Sequence, residues 1–332
     1  MASPATTKSV LIVGATGYIG GSILTELLQS PEASELSISA LIRRPEQAAR
    51  LQSLGVKPLE FKGLDDLDAC RDAASQHDVV INAASASHDS SAKALIEGLS
   101  QRQKATGRDA YMIHTSGTSI LGDHPYSGTP QNQKVWSDEK DDVYAMEKNH
   151  PERYGQRVTD VTVVETGLSL GVKTYIVVPP TIYGKGSGPF ATLSQQIWNH
   201  VHILDLANFY LLLFRAVREQ PDWLPSGPKA IFFVESGEHT WLQVSQGIAD
   251  ALHKQGLLDS NKVESISMKD AAAEITRGNE SLVEITLASN SRARADFARK
   301  RLGWKTSRGN EDFLNHFDGE IEAMREELQS RK

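Results

Sequence analysis

The stretch that decides the fold is Ser9-Val10-Leu11-Ile12-Val13, followed directly by Gly14-Ala15-Thr16-Gly17-Tyr18-Ile19-Gly20. The short run rich in β-branched residues predicts a buried strand, and the amphipathic residues 18–29 predict a helix. Glycines at this spacing allow a tight turn, a close approach of a ligand to the backbone, and close packing of the helix on the strand. The amides at the start of the helix favour an anion. The stretch therefore predicts a dinucleotide-binding turn formed by Gly14, Thr16, Gly17, Tyr18, Ile19 and Gly20.

The alternation of strand and helix signals continues along the N-terminal half. Further strands are predicted at residues 36–42, 58–62, 79–82, 110–114 and 173–178, and helices at 45–54, 67–75, 92–106 and 151–170. Continuous apolar strands separated by helices predict a parallel sheet that is covered on both faces. Right-handed connections make such a sheet doubly wound. We therefore predict an α/β fold of the Rossmann type.

Two parts of the chain are expected. Residues 1–180 are predicted to form the dinucleotide-binding core, to which residues 201–217 and 230–234 return. The remainder of residues 181–332 is predicted to form a small, truncated substrate lobe and the C-terminal helices. The apolar stretch 203–217 is interrupted by Asp205, Asn208 and Arg215, and Asp205 is predicted to cap the helix that follows it.

Composition excludes several classes of protein. The chain has 39% hydrophobic and 23% charged residues, as in ordinary globular proteins, and its net charge of -7 argues against a nucleic-acid-binding face. The single cysteine, Cys70, excludes a disulfide framework and is typical of a reducing compartment. Residues 1–9 lack a secretory signal, and no apolar run approaches the roughly 20 residues of a membrane helix. A cytoplasmic protein that does not enter a membrane is expected.

The end of the second predicted strand bears on the choice of dinucleotide. Enzymes that use NAD usually carry an acidic residue there, which binds the ribose 2′-hydroxyl. In this chain the strand runs into Arg43 and Arg44, and the first acid is Glu46. Guanidinium groups form charge-assisted bonds with a 2′-phosphate. NADP is therefore the predicted cofactor; NAD stays open as the alternative, because both arginines could simply be solvated.

The chain as a whole resembles the extended and atypical short-chain dehydrogenase/reductases, the group that includes nucleotide-sugar epimerases and NmrA-like proteins. The resemblance is nearest to fungal proteins labelled NAD-dependent epimerase/dehydratase. It rests on seven segments in the family's order: residues 14–20, Lys62-Gly-Leu-Asp65, Asn82-Ala-Ala84, His114-Thr-Ser-Gly-Thr118, Val178-Pro-Pro-Thr-Ile-Tyr-Gly184, Val201-His-Ile-Leu-Asp-Leu206 and Leu302-Gly-Trp-Lys305.

The resemblance implies further contacts with the cofactor. Leu64 and Asp65 would border the adenine, and Asn82, Ala83 and Ala84 would pass beneath the cofactor. Pro179 and Pro180 would face the nicotinamide. Members of the family often pair through helices beside the active site, so a homodimer is expected by analogy.

The family's catalytic group is a tyrosine, a lysine four residues later, and a serine or threonine after the fifth strand. Ser116 and Thr118 satisfy the last requirement. Tyr144 and Lys148 have the family's spacing, which places both side chains on one helical face. Tyr154 lies in a Tyr-Gly-x-x pattern that also resembles the family, but Val158 stands where the lysine is expected. A site that has lost the pair is the third alternative.

The later part of the chain departs from the family. His200 and His202 alternate on one predicted strand, but a metal site would need Asp205 as a third ligand, and no metal is predicted. Residues 196–198 join two segments between which family members carry an additional helix and strand. That shortening argues against a nucleotide-sugar substrate.

The sequence thus favours an NADP-dependent oxidoreductase that acts on a small carbonyl or alcohol. Ser116 or Thr118 would bind the substrate oxygen, and Tyr144, or alternatively Tyr154, would exchange a proton with it. An NmrA-like regulator that binds NADP without turnover is a second hypothesis, and a nucleotide-sugar epimerase or dehydratase is a third. A small-molecule substrate is expected, with no nucleic-acid partner.

Overall fold

The computed structural model describes residues 8–124, 126–128, 134–193 and 200–330. In chain order the strands are β1 (Lys8–Val13), β2 (Leu36–Ile42), β3 (Lys57–Glu60), β4 (Val79–Asn82), β5 (Tyr111–Thr115), β6 (Trp136–Ser137), β7 (Lys173–Val178), β8 (Thr181–Tyr183), β9 (His200–His202), β10 (Ile231–Phe233) and β11 (Ala293–Arg294). The shortened segment at residues 196–198 lies outside the described residues.

The helices lie between and after these strands. They are α1 (Tyr18–Gln29), α2 (Ala48–Ser53), α3 (Leu67–Ser75), α4 (Asp89–Thr106), α5 (Val143–Asn149), α6 (Gly155–Leu170), α7 (Ile203–Glu219), α8 (Trp241–Lys254), α9 (Met268–Ile275), α10 (Glu280–Val283), α11 (Asp296–Arg301), α12 (Asn310–Asn315) and α13 (Phe317–Ser330). Short 3₁₀ turns include Thr118–Leu121, and a π-helical turn covers Glu284–Ala288.

Seven strands form the central sheet in the order β3-β2-β1-β4-β5-β7-β10, and every pair in it is parallel. Helices α1 and α7 pack together, and α4 packs between α3 and α6. The predicted doubly wound α/β fold is therefore confirmed. The strand order reverses between β1 and β4, and a ligand of such a sheet binds at the carboxyl ends of the strands beside that reversal.

The inner strands of the sheet are buried along most of their length, which explains their apolar sequences. Val10, Leu11, Ile12 and Val13 of β1 are completely buried, as are Val79, Val80 and Ile81 of β4. This burial holds the ends of β1 and β4 side by side. Residues of the site described below lie directly beyond those ends.

Several helices begin a few residues from their predicted starts, and the starts of α6 and α7 bear on the site. The helix expected over residues 151–170 begins four residues later, at Gly155, and a separate helix, α5, ends at Asn149. His150, which precedes Pro151, adopts an extended conformation with φ -65° and ψ 131°. A residue before proline avoids the helical region for steric reasons, so the chain breaks there. Tyr154 is consequently the residue that precedes α6 and does not lie within it.

The start of α7 also differs from the prediction. His202 caps it, because its Nδ1 accepts a hydrogen bond from the amide of Leu204 at 3.1 Å. Asp205 instead accepts hydrogen bonds from the amides of Ser307 and Arg308 at 3.2 and 3.1 Å. Its carboxylate therefore attaches the C-terminal segment to the core.

The chain after β10 supplies a second, smaller apolar cluster. Phe313 of α12 and Phe317 of α13 pack there with Tyr183 and with Val244 of α8. This lobe lies beside the carboxyl ends of the central strands, because residues from α8, α10 and the segment before β11 line a cavity there.

Among the described residues, no helix is both long enough and apolar enough to cross a membrane.

Candidate functional site

The glycine turn connects β1 to α1. The amide of Gly17 donates to the carbonyl of Gly14 at 2.9 Å, and Gly17 is the residue before the helix. Gly14 has a φ of 91°, and a β-carbon there would lie 2.7 Å from the carbonyl oxygen of Ala83. A β-carbon on Gly20 would overlap the carbonyl of Gly14. Both glycines are therefore required by the close approach of this turn to its neighbours.

The remaining turn residues lie at the surface of this junction. Thr16, Tyr18 and Ile19 are partly exposed, and the hydroxyl of Tyr18 donates to the carbonyl of Gly184 at 2.5 Å. Ile19 reaches the cavity described below. The start of α1 carries no acidic residue, so no negative charge in its first turn opposes an anion.

Arg43 and Arg44 follow the end of β2 and are exposed. Neither side chain has an ion pair or hydrogen bond within the described part of the chain. Their guanidinium groups are therefore available to an anionic ligand at the carboxyl edge of the sheet. This arrangement fits a ribose phosphate, and the open glycine turn beside it fits a diphosphate.

The other predicted cofactor residues surround the same edge. Leu64 packs against the core, while the exposed carboxylate of Asp65 lies 3.2 Å from His88 Nε2. Asn82 is buried at the end of β4, where its Oδ1 accepts from the amide of Ala84 at 3.4 Å.

A cavity of about 1080 Å³ opens at the carboxyl ends of β4, β5 and β7. One wall lies on the sheet side and includes Ile19, Ala83, Ala84, Pro179 and Pro180. The opposite wall comes from the C-terminal lobe and includes Trp241, Leu282, Ile285, Asn290 and Arg292. The cavity thus lies between residues predicted to contact the cofactor and the C-terminal lobe.

Tyr154 lines this cavity together with Ser119. The two hydroxyl oxygens are 2.6 Å apart. Ser119 Oγ also donates to Gln156 Oε1, so its single proton is used and the Tyr154 hydroxyl is the donor in the Tyr154–Ser119 bond. Burial raises the pKa of Tyr154 to about 12. The tyrosine therefore carries its proton at neutral pH and holds it in a defined direction.

Arg157 supports this arrangement from within α6. Its Nε donates to the carbonyl of Ile120 at 2.9 Å, and its Nη2 donates to that of Gly122 at 3.1 Å. The guanidinium carbon also lies 5.7 Å from the centre of the Tyr154 ring. Arg157 thus connects the turn that carries Ser119 to the helix that follows Tyr154.

The structure places Tyr144 and Lys148 outside the cavity. Both lie on α5, but neither lines the cavity. The Lys148 ammonium donates to the Tyr144 hydroxyl at 3.4 Å, and it lies 3.0 Å from Glu165, with half of each charged side chain exposed. The face of α5 that is buried carries Glu147 instead. Tyr144 and Lys148 therefore form a surface pair, away from Ser116 and Thr118.

Ser116 and Thr118 both line the cavity and are buried. Ser116 Oγ is hydrogen-bonded to Asp160 Oδ2 at 2.5 Å, and the carbonyl of Thr118 accepts from the Ser291 hydroxyl. Neither has a recorded hydrogen bond to a tyrosine; that contact is made by Ser119, which the sequence analysis missed. The available signal was its place in the run Thr115–Ser119, in which it is the fourth hydroxyl residue, after Thr115, Ser116 and Thr118.

His200 and His202 lie on β9 around Tyr183, with ring centroids 5.7 and 5.0 Å from the tyrosine ring. His200 also stacks on Phe313 at 4.1 Å. Asp205 is occupied by its bonds to Ser307 and Arg308. Within the residues that the structure describes, no group of three possible ligands is arranged to hold a metal ion.

Residues 14–154 match the family model described as NAD(P)H-binding. Over its length the chain is similar to the curated protein "Oxidase ucsJ" of Acremonium sp., with 29% identity over an alignment that covers 90% of this chain and 93% of the relative.

Solved structures with much lower sequence identity share the fold. The yeast methylglyoxal/isovaleraldehyde reductase Gre2, complexed with NADPH, is 13% identical with a TM-score of 0.60, over 96% of this chain and 99% of that one. The UDP-glucose 4-epimerase of Thermotoga maritima is 15% identical with a TM-score of 0.61, over 95% and 99%. Vestitone reductase of alfalfa is 16% identical with a TM-score of 0.57, over 96% and 99%.

The family match, the glycine turn and the doubly wound sheet agree with one another. Residues 14–154 are similar to the NAD(P)H-binding family, and the chain shares its fold with solved reductase and epimerase structures.

Proposed function

We propose that this protein is an NADP-dependent reductase of carbonyl compounds in which Tyr154 donates the proton. The observation that carries the proposal is the Tyr154–Ser119 hydroxyl pair, 2.6 Å apart, in the cavity that Pro179 and Pro180 also line. Tyr154 thereby takes the role that the sequence analysis had assigned first to Tyr144. A bound nicotinamide would supply the hydride.

Other residues would bind the cofactor, orient Tyr154 and bind the substrate. Gly14 and Gly20 keep the turn open for the diphosphate, and Arg43 and Arg44 would hold the 2′-phosphate. Ser119 orients the Tyr154 hydroxyl, and the Ser116 hydroxyl lies in the same cavity to bind the substrate oxygen. On substrate binding the Tyr154 O–H would turn from Ser119 Oγ to the substrate oxygen, and its proton would pass to that oxygen as negative charge develops there.

The absence of a neighbouring lysine favours reduction over oxidation. Val158 stands one helical turn after Tyr154, and its amide donates to the Tyr154 carbonyl at 3.1 Å. A valine cannot stabilise a tyrosinate, so the high pKa of Tyr154, about 12, keeps the group protonated. A protonated tyrosine serves reduction, which needs an acid, whereas oxidation of an alcohol needs a base.

Val158 also favours a second candidate, a protein that binds NADP and changes its partner contacts without turnover. Such a regulator needs the glycine turn and the two arginines but not a tyrosine with a lowered pKa. The two candidates predict the same cofactor binding and differ in whether NADPH is consumed.

Calorimetric titration with NADPH and NADH tests the cofactor part of the proposal. NADPH is expected to bind at least about tenfold more tightly, because one hydrogen bond to a charged group contributes about 1.5 kcal/mol or more. Replacing Arg43 and Arg44 together by alanine should remove the preference. Arg50→Ala, which alters an exposed arginine of α2, is the matched control and should retain it. Equal affinities in the unaltered protein would contradict the choice of NADP.

Consumption of NADPH in the presence of a panel of aldehydes and ketones tests the catalytic part. Oxidation of NADPH that depends on one of these carbonyls supports the reductase. Tight binding of NADPH without oxidation by any of them favours the regulator.

A further inference from the structure

A line of buried polar side chains runs behind the cavity, across the carboxyl ends of β4 and β5 to α6. It consists of Asn82, His114, Ser116 and Asp160, all of which are buried. Asp160 is completely enclosed and lies six residues after Tyr154, within α6. Of these four residues, only Ser116 lines the cavity. The line therefore reaches the cavity through one hydroxyl group.

The hydrogen bonds along this line define where its protons lie. Asn82 Oδ1 accepts from the amide of Ala84, so its Nδ2 is the group that donates to His114 Nδ1 at 3.1 Å. His114 Nδ1 is then an acceptor, and its proton is on Nε2. That nitrogen lies 3.7 Å from Asp160 Oδ1, and neither atom has a hydrogen-bond partner in the described part of the chain. The other carboxyl oxygen, Oδ2, bonds only to Ser116 Oγ among the described residues.

The surroundings of Asp160 do not stabilise its ionised form. Burial lowers the pKa of His114 to about 4, so the imidazole is neutral and supplies no counter-charge. A second buried carboxyl group, Glu147 of α5, interacts repulsively with Asp160. Arg157 and Tyr154 are the other titratable groups nearby on α6 and before it, and Arg157 is engaged by the carbonyls of Ile120 and Gly122. Enclosure in an apolar setting raises the pKa of Asp160 far above its ordinary value, so it holds a proton at neutral pH.

We propose that Asp160 is a positioning residue whose protonation state decides whether Ser116 offers its hydroxyl proton to the substrate oxygen in the cavity. The proposal rests on the reductase function above. It assigns a role to a buried carboxyl group that is hydrogen-bonded to a cavity hydroxyl.

The change between the two states only redistributes protons in the hydrogen bond between Asp160 Oδ2 and Ser116 Oγ. When Asp160 is protonated, its carboxyl O–H donates to Ser116 Oγ, and the Ser116 hydroxyl proton points into the cavity, where it can bind a substrate oxygen. When Asp160 is ionised, the carboxylate accepts the Ser116 proton and withdraws that donor from the cavity. Reduction, which develops negative charge on the substrate oxygen, is therefore favoured by the protonated form.

Infrared difference spectroscopy of the full chain, titrated from neutral to alkaline pH without substrate, tests the first half of the proposal. We expect a protonated-carboxyl C=O band that disappears as the pH rises. Asp160→Asn should remove the band. Ser116→Ala should shift its frequency, because a hydrogen bond to the carboxyl group is lost. Glu147→Gln, which alters the neighbouring buried carboxyl group, is the matched control and should retain the band.

Two infrared results would overturn the proposal. Absence of the band at every pH would mean that Asp160 is ionised throughout. A band that survives in Asp160→Asn and is lost in Glu147→Gln would assign the buried proton to Glu147. Neither measurement needs turnover, so this test is separate from failure of the proposed reductase activity.

The pH dependence of NADPH oxidation, with a carbonyl that the panel shows to be reduced, tests the second half. The amide of Asp160→Asn can donate permanently to Ser116 Oγ and so resembles the protonated acid. We expect this variant to keep its activity at alkaline pH. The unaltered protein and Glu147→Gln should lose activity there, with a higher KM and a lower kcat. The same alkaline decline in Asp160→Asn would refute a role for Asp160.

Discussion

Tyr144 and Tyr154 lie ten residues apart, on either side of the break at His150, and have opposite surroundings. Tyr144 has a lysine at the family's spacing, but both side chains lie on the outer surface with Glu165. Tyr154 lacks the lysine, yet its hydroxyl lies in the cavity, 2.6 Å from Ser119. The comparison shows that a helical spacing places two side chains on one face without determining whether that face is buried. Which face of α5 is buried depends on tertiary packing, and the buried face carries Glu147.

The largest effect is expected from Tyr154→Phe. Loss of the proton donor should reduce kcat/KM for NADPH-dependent carbonyl reduction by at least about 100-fold, the lower end of acid–base catalysis. Tyr144→Phe is the matched control and should leave kcat/KM nearly unchanged, because its hydroxyl contacts only the surface groups of Lys148 and Glu165. A large loss of kcat/KM in Tyr144→Phe with none in Tyr154→Phe would identify Tyr144, and not Tyr154, as the proton donor.

Arg157→Met should destabilise the region around Tyr154. The carbonyls of Ile120 and Gly122 would lose their buried donor, so the free energy of unfolding should fall by about 3 kcal/mol. Denaturant unfolding followed by circular dichroism measures this change. Arg153→Met alters a neighbouring exposed arginine and should change the free energy of unfolding by less than about 0.5 kcal/mol. Equal stabilities for the two variants would show that Arg157 does not hold the turn.

Val158→Lys should give Tyr154 the neighbour that Tyr144 already has. An ammonium group one helical turn away favours tyrosinate and should lower the Tyr154 pKa from about 12 by about one unit. Oxidation of an alcohol by NADP, which needs the deprotonated tyrosine, should then begin at a correspondingly lower pH. Val158→Met, a long side chain without charge, should leave the pH dependence of oxidation where it is in the unaltered protein.

The smallest effect is expected from Lys148→Met. The ion pair with Glu165 is half exposed, and such pairs contribute little because water and salt screen them, so kcat/KM should change by less than about twofold. A steady-state assay at two salt concentrations checks this. A loss comparable to that of Tyr154→Phe would place Lys148 in the catalytic machinery despite its position on the surface.

The glycine turn could be predicted from the sequence, whereas the position of the cavity tyrosine could not. The strand β1, the turn at Gly14 and Gly20, and the doubly wound sheet follow from local signals, because apolar runs and glycine spacing act over short stretches of chain. The placement of Tyr154 could not be predicted in the same way. It depends on the break before Pro151, on the turn that Arg157 holds, and on which face of α5 is buried.

The sequence by itself thus determined that the N-terminal half forms a parallel sheet with a glycine turn after its first strand, since those features depend mainly on neighbours along the chain. It also placed two arginines after β2, where they are free of ion pairs among the described residues. Tertiary structure alone decided which tyrosine enters the cavity, that Ser119 accompanies it, and that Asp160 lies behind Ser116. These side chains come from segments separated by 35 to 44 residues. The packing of α6 against β7 and against the turn Thr118–Leu121 brings them within hydrogen-bonding distance.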